Sequence, residues 1–267
     1  MQTAQEALKS HFGYSEFHPL QESIVNDVLA GRDVFVLMPT GSGKSLCYQL
    51  PAVMKDGIAV VISPLIALMK DQVDSLRANG IGTSYINSSL GVKEIEDTKI
   101  RALENKDKIL YIAPERLSSY DFLCFLKMLK ISLFAVDEAH CISEWGHDFR
   151  PEYRKLSMLR EMFPRVPIIA LTATAVLDVQ RDIIQNLKLS ASKIYKASFN
   201  RPNLFYYVRP KEDAYKQMAD YIRKHPKDSG IIYCQSRNSA ESLTKKLQED
   251  GFRALAYHAG LSKDVRT

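Results

Sequence analysis

The stretch Asp33-Val-Phe-Val-Leu-Met38, followed at once by Pro39-Thr-Gly-Ser-Gly-Lys-Ser45, constrains this chain more than any other. An unbroken apolar run suits a strand covered on both faces. The helical run Leu46 to Val53 comes next, so a strand, a glycine loop and a helix stand in series. That is the context a phosphate loop requires. Gly41 and Gly43 let the backbone curl until its N–H groups face an anion, with Thr40 and Ser42 completing the loop. Lys44 is placed to reach the β- and γ-phosphates of a nucleotide, and the Ser45 hydroxyl to ligate Mg²⁺. The helix N-terminus adds its partial positive charge. The strict pattern has glycine five residues before Gly43, where this chain has Met38. The alternative is a glycine-rich turn with no ligand.

Four further apolar runs repeat the rhythm, at Ile58–Ile62, Ile109–Ile112, Leu133–Asp137 and Ile168–Thr172. Helical spacing of apolar residues separates them over Pro19–Leu29, Leu65–Arg77 and Val176–Leu187. The alternation predicts an α/β fold with a parallel sheet. Near Ser198-Phe-Asn-Arg-Pro-Asn203 the rhythm restarts. Strands are expected at Leu204–Val208, Gly230–Cys234 and Ala254–Tyr257, with helices at Asp213–Lys224 and Ser239–Glu249. The expected domains are therefore 1–197 and 198–267, the second too short for an independent α/β unit.

Charge follows the same division. Residues 1–197 carry 23 Lys+Arg and 23 Asp+Glu, while 198–267 carry 13 against 8, so the whole net charge of +5 lies in the second part. A basic segment is compatible with a polyanionic partner, and equally with a solvated surface. No run approaches 18 apolar residues and the start is polar, so neither a membrane span nor a leader peptide is expected. Cys47, Cys124, Cys141 and Cys234 show no C-x-x-C spacing, so no zinc is expected and a reducing, cytoplasmic location is.

Asp137-Glu-Ala-His140 ends the fourth apolar run. A carboxylate leaving the C-terminal end of a parallel strand points into the ligand crevice. Asp137 is placed to hold Mg²⁺ and Glu138 to orient or deprotonate an attacking water. Standing alone, the motif reads equally as a helix cap with an exposed acid pair. Trp145, the single tryptophan, follows eight residues after Asp137, interleaved with Gly146, His147, Asp148, Phe149 and Arg150. Such interleaving disfavours a buried face and suits stacking on nucleic-acid bases.

With these motifs in place, the chain resembles superfamily 2 helicases, and specifically the RecQ family of DNA helicases. The resemblance covers nearly the whole chain. Phe17-His-Pro-Leu-Gln21, with Tyr14 before it, resembles the adenine-recognition motif, in which Gln21 bonds the adenine edge and Tyr14 and His18 pack on the ring. The family usually has Arg where His18 stands and often Gly where Leu20 stands. Ser63-Pro-Leu-Ile-Ala-Leu-Met-Lys-Asp-Gln72 looks like motif Ia and Tyr111–Leu117 like motif Ib. Thr172-Ala-Thr-Ala175 looks like motif III, and Tyr233–Arg237 and Tyr257–Leu261 like motif IV and its successor. Cys141–Tyr153 is similar to the aromatic-rich loop that couples single-stranded DNA to ATP hydrolysis.

The resemblance implies a RecA-like, parallel-sheet lobe followed by an incomplete second RecA-like lobe, with ATP and Mg²⁺ between lobes. It implies an ATP-dependent helicase moving 3′ to 5′ on DNA in repair and recombination. DNA contacts are expected from Ser63, Pro64, Trp145, His147, Phe149, Arg150, Ser236 and Arg237, and coupling through His140, Thr172 and Thr174. Partners are single-stranded and partially duplex DNA, with the protein a monomer at the nucleoid or in the nucleus. The family's second lobe continues past motifs such as Tyr257–Leu261 to arginines that reach the γ-phosphate. A 267-residue chain is thus expected to bind nucleotide, hydrolyse it poorly and not unwind. A non-catalytic DNA-binding or annealing fragment and an RNA helicase are the alternatives.

Overall fold

The computed structural model describes residues 2–189, 192–200 and 203–262. The chain divides into two compact units, Met1–Arg201 and Pro202–Thr267. In the first, seven strands form one sheet: β1 (Val34–Leu37), β2 (Ile58–Ile62), β3 (Thr83–Ile86), β4 (Ile109–Ile112), β5 (Ile131–Val136), β6 (Ile168–Thr172) and β7 (Lys193–Lys196). The order is β3-β4-β2-β5-β6-β1-β7 and every pairing is parallel. The helices are α1 (Ala4–Phe12), α2 (Gln21–Leu29), α3 (Leu46–Met54), α4 (Ile66–Ala78), α5 (Val92–Leu103), α6 (Tyr120–Met128), α7 (Pro151–Arg154), α8 (Ser157–Met162) and α9 (Leu177–Asn186).

Successive strand residues point to opposite faces, and both faces are covered. Phe35, Val60, Ile62, Phe134 and Val136 pack on one side with Phe122 and Leu126 of α6 and Ile183 of α9. Val34, Val36, Val61, Leu133 and Ala135 pack on the other with Ile24 of α2, Tyr48 of α3 and Val73 of α4. Each fully buried aliphatic side chain contributes about 1.5–3 kcal/mol of hydrophobic stabilisation. That is why the five central strands read as unbroken apolar runs. The two edge strands are absent from the sequence reading. β7 is Lys-Ile-Tyr-Lys and mostly exposed, and its lysines blunt the sheet edge against pairing with another chain.

A parallel sheet sends every strand into its following loop at the same edge. The loops after β1, β2, β5 and β6, which carry residues 38–45, 63–65, 137–150 and 173–176, all open there. β6 lies between β1 and β5.

The second unit holds α10 (Ala214–Lys224) and α11 (Arg237–Glu249), capped by the Asp213 and Ser236 side chains. Tyr215 of α10 donates its hydroxyl proton to the carboxylate of Asp250, just past α11, and that hydroxyl lies 3.2 Å from the Lys246 carbonyl. The strands expected at 204–208, 230–234 and 254–257 are not formed among the described residues. Their apolar side chains, Phe205, Ile231, Tyr233 and Leu255 among them, are exposed. A strand exists only where a neighbour completes its hydrogen bonds, and these segments have no ladder partner among the described residues.

Candidate nucleotide site and aromatic loop

The loop after β1 is built on two left-handed glycines, Gly41 at φ 81° and Gly43 at φ 77°. Gln21, the first residue of α2, is buried against it. Its Nε2 donates to the Gly43 carbonyl at 3.0 Å and lies 3.4 Å from that of Ser42, while its Oε1 accepts from the His18 N–H at 2.8 Å. A Cβ on Gly43 would sit 2.3 Å from that Nε2, so the position excludes any side chain unless Gln21 moves. Leu20 turns the chain into α2 at φ 71°, a backbone region where glycine is at ease and leucine is strained. Tyr14 and His18 are exposed beside this entry.

Lys44 donates from Nζ to the Met38 carbonyl at 3.1 Å. Burial pushes its pKa down, opposed by the negative charges of Glu138 and Asp137. The lysine and the two acids therefore share one electrostatic environment across β6.

Asp137 leaves β5 with its N–H still bonded to the Ile62 carbonyl at 2.9 Å. Burial, and then the charge of Glu138, push its carboxyl up to about 6. Glu138 sits in the left-handed region at φ 47°, a strained turn for a residue with a Cβ. Its pKa is held down, first by a hydrogen bond with His140. His140 is buried, with Nδ1 3.3 Å from Glu138 Oε2 and 2.9 Å from the Thr172 hydroxyl. Thr172 Oγ1 donates to the Thr174 carbonyl at 3.1 Å and accepts its N–H at 3.2 Å. The three residues expected to couple, His140, Thr172 and Thr174, thus form one hydrogen-bonded chain from the acid to the loop after β6.

A carboxyl pushed up by a neighbouring anion is a place where added positive charge is stabilising. Asp137 fits a divalent cation on that ground, with the Ser45 hydroxyl as the second protein ligand the motif supplies.

The aromatic loop follows directly. Trp145 is 80% exposed and Phe149 36% exposed, so neither is a core residue. His147 stacks on His140, with ring centroids 4.4 Å apart and planes 17° from parallel. Arg150 donates from Nη1 to the Pro64 carbonyl at 3.1 Å, which ties the loop to the end of β2. Thr40, Pro64, Glu138, His140, His147 and Thr174 line a cleft of about 270 Å³. Ser63 is buried, its hydroxyl partnerless, so Pro64 is the accessible member of that pair.

Ser236 caps α11 by accepting the Ser239 N–H at 3.1 Å, and Arg237 opens that helix. Among the described residues one cluster has metal-type donors, His140, Cys141 and Asp148, within 4.8 Å of one another. Thr172 and Glu138 already engage the imidazole, and Arg150 engages the carboxylate.

Two residues that the sequence places in the loop without assigning them a role help to build the site. Tyr153, fully buried, donates its hydroxyl proton to the Asp137 carbonyl at 3.0 Å. Asp148 holds Arg150 at 3.1 Å. A tyrosine three residues after Arg150 and an acid two residues before it were visible signals, but their partners are set by the fold.

The family model for the DEAD/DEAH box helicase matches residues 18–183. The chain is 46% identical to the ATP-dependent DNA helicase RecQ of Haemophilus influenzae, over 99% of this chain and 43% of that protein. It is 42% identical to the RecQ of Bacillus subtilis, over 98% and 45%. It is 44% identical to the RecQ-like DNA helicase BLM of Xenopus laevis, over 96% and 19%. The chain therefore spans less than half the length of these relatives. Among solved structures, the DUF1998 helicase MrfA bound to DNA and AMPPNP superposes with a TM-score of 0.71 at 18% identity, over 93% of this chain and 38% of that one. Mycobacterium smegmatis Lhr gives 0.69 at 19%, over 100% and 39%. With the fold, the glycine loop and the acid motif agreeing, the chain belongs to the DEAD/DEAH box helicase family and is of the RecQ type.

Proposed function

We propose that this chain is the nucleotide-binding lobe, with the start of a second RecA-like lobe over 198–267, of an ATP-dependent DNA helicase. The whole enzyme uses ATP hydrolysis to move 3′ to 5′ along single-stranded DNA and to open partially duplex DNA in repair and recombination. It works as a monomer wherever the cell keeps its DNA. No helix among the described residues is long and apolar enough to cross a membrane.

The observation that carries the reading is the continuity between acid and aromatic loop. Glu138 is bonded to His140, and His147 of the loop stacks on the same ring. A base stacked on Trp145 or Phe149 and a phosphate beside Glu138 are sensed by residues that touch one another. Lys44 gives up the Met38 carbonyl and places its ammonium on the β- and γ-phosphates. Glu138, kept anionic by His140, orients the attacking water and accepts its proton. Ser45 and Asp137 would hold Mg²⁺, which would supply charge neutralisation at the phosphates. Tyr14 and His18 offer exposed rings to the base of ATP. Gln21 reaches the adenine edge only by loosening its bonds to the glycine loop, which ties nucleotide recognition to loop shape. Pro64, Trp145, His147, Phe149, Arg150, Ser236 and Arg237 carry DNA, mostly through phosphate and stacking, so binding is insensitive to sequence and weakened by salt.

As a 267-residue polypeptide the chain binds nucleotide, turns it over slowly and does not unwind. The test is binding of ATP and of fluorescent oligo-dT to the chain and to Lys44→Ala. Loss of ATP binding with DNA binding retained supports the reading. DNA binding and ATP binding both untouched by Lys44→Ala point to a non-catalytic binding module, and preference for an RNA strand points to an RNA helicase.

A further inference from the structure

Arg150 is the one cation of the aromatic loop, yet its guanidinium is already engaged on two edges. Nε and Nη2 face Asp148 Oδ2 at 3.3 and 3.1 Å, and Nη1 donates to the Pro64 carbonyl at 3.1 Å. The Nε–Nη2 edge is one that takes a phosphate with two parallel bonds. Asp148 holds it with a carboxylate that is itself anchored by the Cys141 thiol at 3.7 Å. Both partners remain open to solvent, with the Arg150 and Asp148 side chains 33% and 46% exposed.

We propose that Asp148 is a built-in stand-in for a DNA phosphate, which keeps Arg150 neutralised and tied to the end of β2 until a nucleic-acid backbone displaces it. The inference rests on the reading of this loop as a single-stranded DNA surface. Three consequences follow from the geometry. Exchange of one anion for another leaves Arg150 paired in both states, so the loop passes between them without stranding a charge. The carboxylate competes with every phosphate, so it lowers affinity for DNA and sharpens dependence on a correctly placed one. Release of Asp148 also loosens its hold on Cys141, the neighbour of His140, so phosphate arrival is felt one residue from the ring that touches Glu138. An exposed pair of this kind is weak enough to be exchanged.

The experiment measures fluorescence anisotropy of labelled oligo-dT against the whole chain, without nucleotide, at several salt concentrations. Five variants are compared with the parent: Asp148→Asn, Asp148→Glu, Arg150→Ala, the pair Asp148→Asn with Arg150→Ala, and Trp145→Ala. Asp148→Asn is expected to bind about two- to fivefold tighter, the range an exposed ion pair allows. Its affinity should also fall more steeply with salt, by up to about 0.7 in the logarithmic slope, because in the parent salt also weakens the Arg150–Asp148 pair that DNA must break, and in the variant that compensation is gone. Asp148→Glu keeps the anion and should follow the parent. In the Arg150→Ala background the asparagine should give no gain. A gain that persists without Arg150 means only that a negative charge was removed, and overturns the proposal. So does an Asp148→Asn variant that binds no tighter while Trp145→Ala weakens binding, and there the DNA reading of the loop survives. If neither Trp145→Ala nor Arg150→Ala changes affinity, the loop does not carry DNA and both readings fall.

Discussion

The Nδ1 of His140, in the turn four residues past the end of β5, and the hydroxyl of Thr172, the last residue of the neighbouring β6, stand 2.9 Å apart, both buried. Thr172 has one proton, and its bond to the Thr174 carbonyl uses it. His140 therefore carries its proton on Nδ1, and the Thr172 hydroxyl and the Glu138 carboxylate, 3.3 Å from the same nitrogen, share that one donor. Thr172→Val keeps the shape and removes the oxygen. The expected outcome is a fall of about tenfold in single-turnover ATP hydrolysis, a rise of about 1.4 kcal/mol in the barrier, with ATP affinity within about twofold. Stopped-flow binding and quenched-flow turnover check it. Equal losses in affinity and rate would mean that the pair supports the nucleotide pocket rather than the chemistry.

Gln21 leads to a second prediction. It donates to loop carbonyls and accepts from the His18 N–H within a buried position. Gln21→Glu preserves the acceptor and removes the donor, leaving an acid against carbonyl oxygens. Gln21→Ala removes both. A buried unsatisfied polar group costs about 1–3 kcal/mol and a buried charge more. The glutamate variant should therefore melt lower than the alanine variant and bind ATP more weakly. Differential scanning fluorimetry with and without ATP decides the order, and a glutamate variant as stable as the parent would show that the amide donor is unimportant.

The legible parts of this molecule were those written in local pattern. Val34–Leu37 and Ile58–Ile62 are buried on both faces, so their apolar runs announced strands before any fold was known. Trp145 among Gly146, His147 and Asp148 announced an exposed loop, and it is 80% exposed. Thr83–Ile86 and Lys193–Lys196 are four-residue edge strands, and their pairing is dictated by the strands beside them. Leu204–Val208 has the residue types of a strand but gains no ladder among the described residues, because strand formation depends on a neighbour and not on composition. Motif order assigned roles to Gln21 and Ser63, but their burial and the bonds of Gln21 belong to the packed loops.

The carboxyl of Asp137 is expected to make stability depend on pH. It is pushed from 3.8 up to about 6 by burial and by the charge of Glu138. The folded chain thus holds this proton more tightly than the unfolded chain. Stability from this group is present below about pH 4 and is lost as pH rises through 6. Glu138, held down by His140, acts in the opposite sense and adds stability above 4.5 that is lost in more acid solution. Asp137→Asn removes the first effect alone. Without nucleotide, its melting temperature should match the parent only below about pH 4 and exceed it by several degrees at pH 8, where the ionised carboxyl costs the parent about 3 kcal/mol. Melting curves across that range check it, and a constant difference at every pH would dissociate Asp137 from the effect.

Gly146 tests whether the shape of the aromatic loop matters apart from its chemistry. A Cβ there would lie 2.6 Å from the His140 carbonyl oxygen and 3.0 Å from that of Ser143. Both obstacles are backbone, and the Gly146 N–H already donates to Ser143 at 2.9 Å. Gly146→Ala must therefore open the turn. The side chains on either side, Trp145 and His147, then lose their placement, and the stack of His147 on His140 is the contact most exposed to the shift. Trp145 is exposed and carries no packing in the sheet. The melting temperature should then fall by no more than about 1 kcal/mol implies. Oligo-dT affinity should fall about tenfold, because each stacked base contributes about 1–3 kcal/mol only when its platform is in place. Anisotropy titration and a melting curve on the same sample check both halves. Unchanged DNA affinity would mean the loop binds as a flexible arm, with the tight turn at Gly146 irrelevant to it.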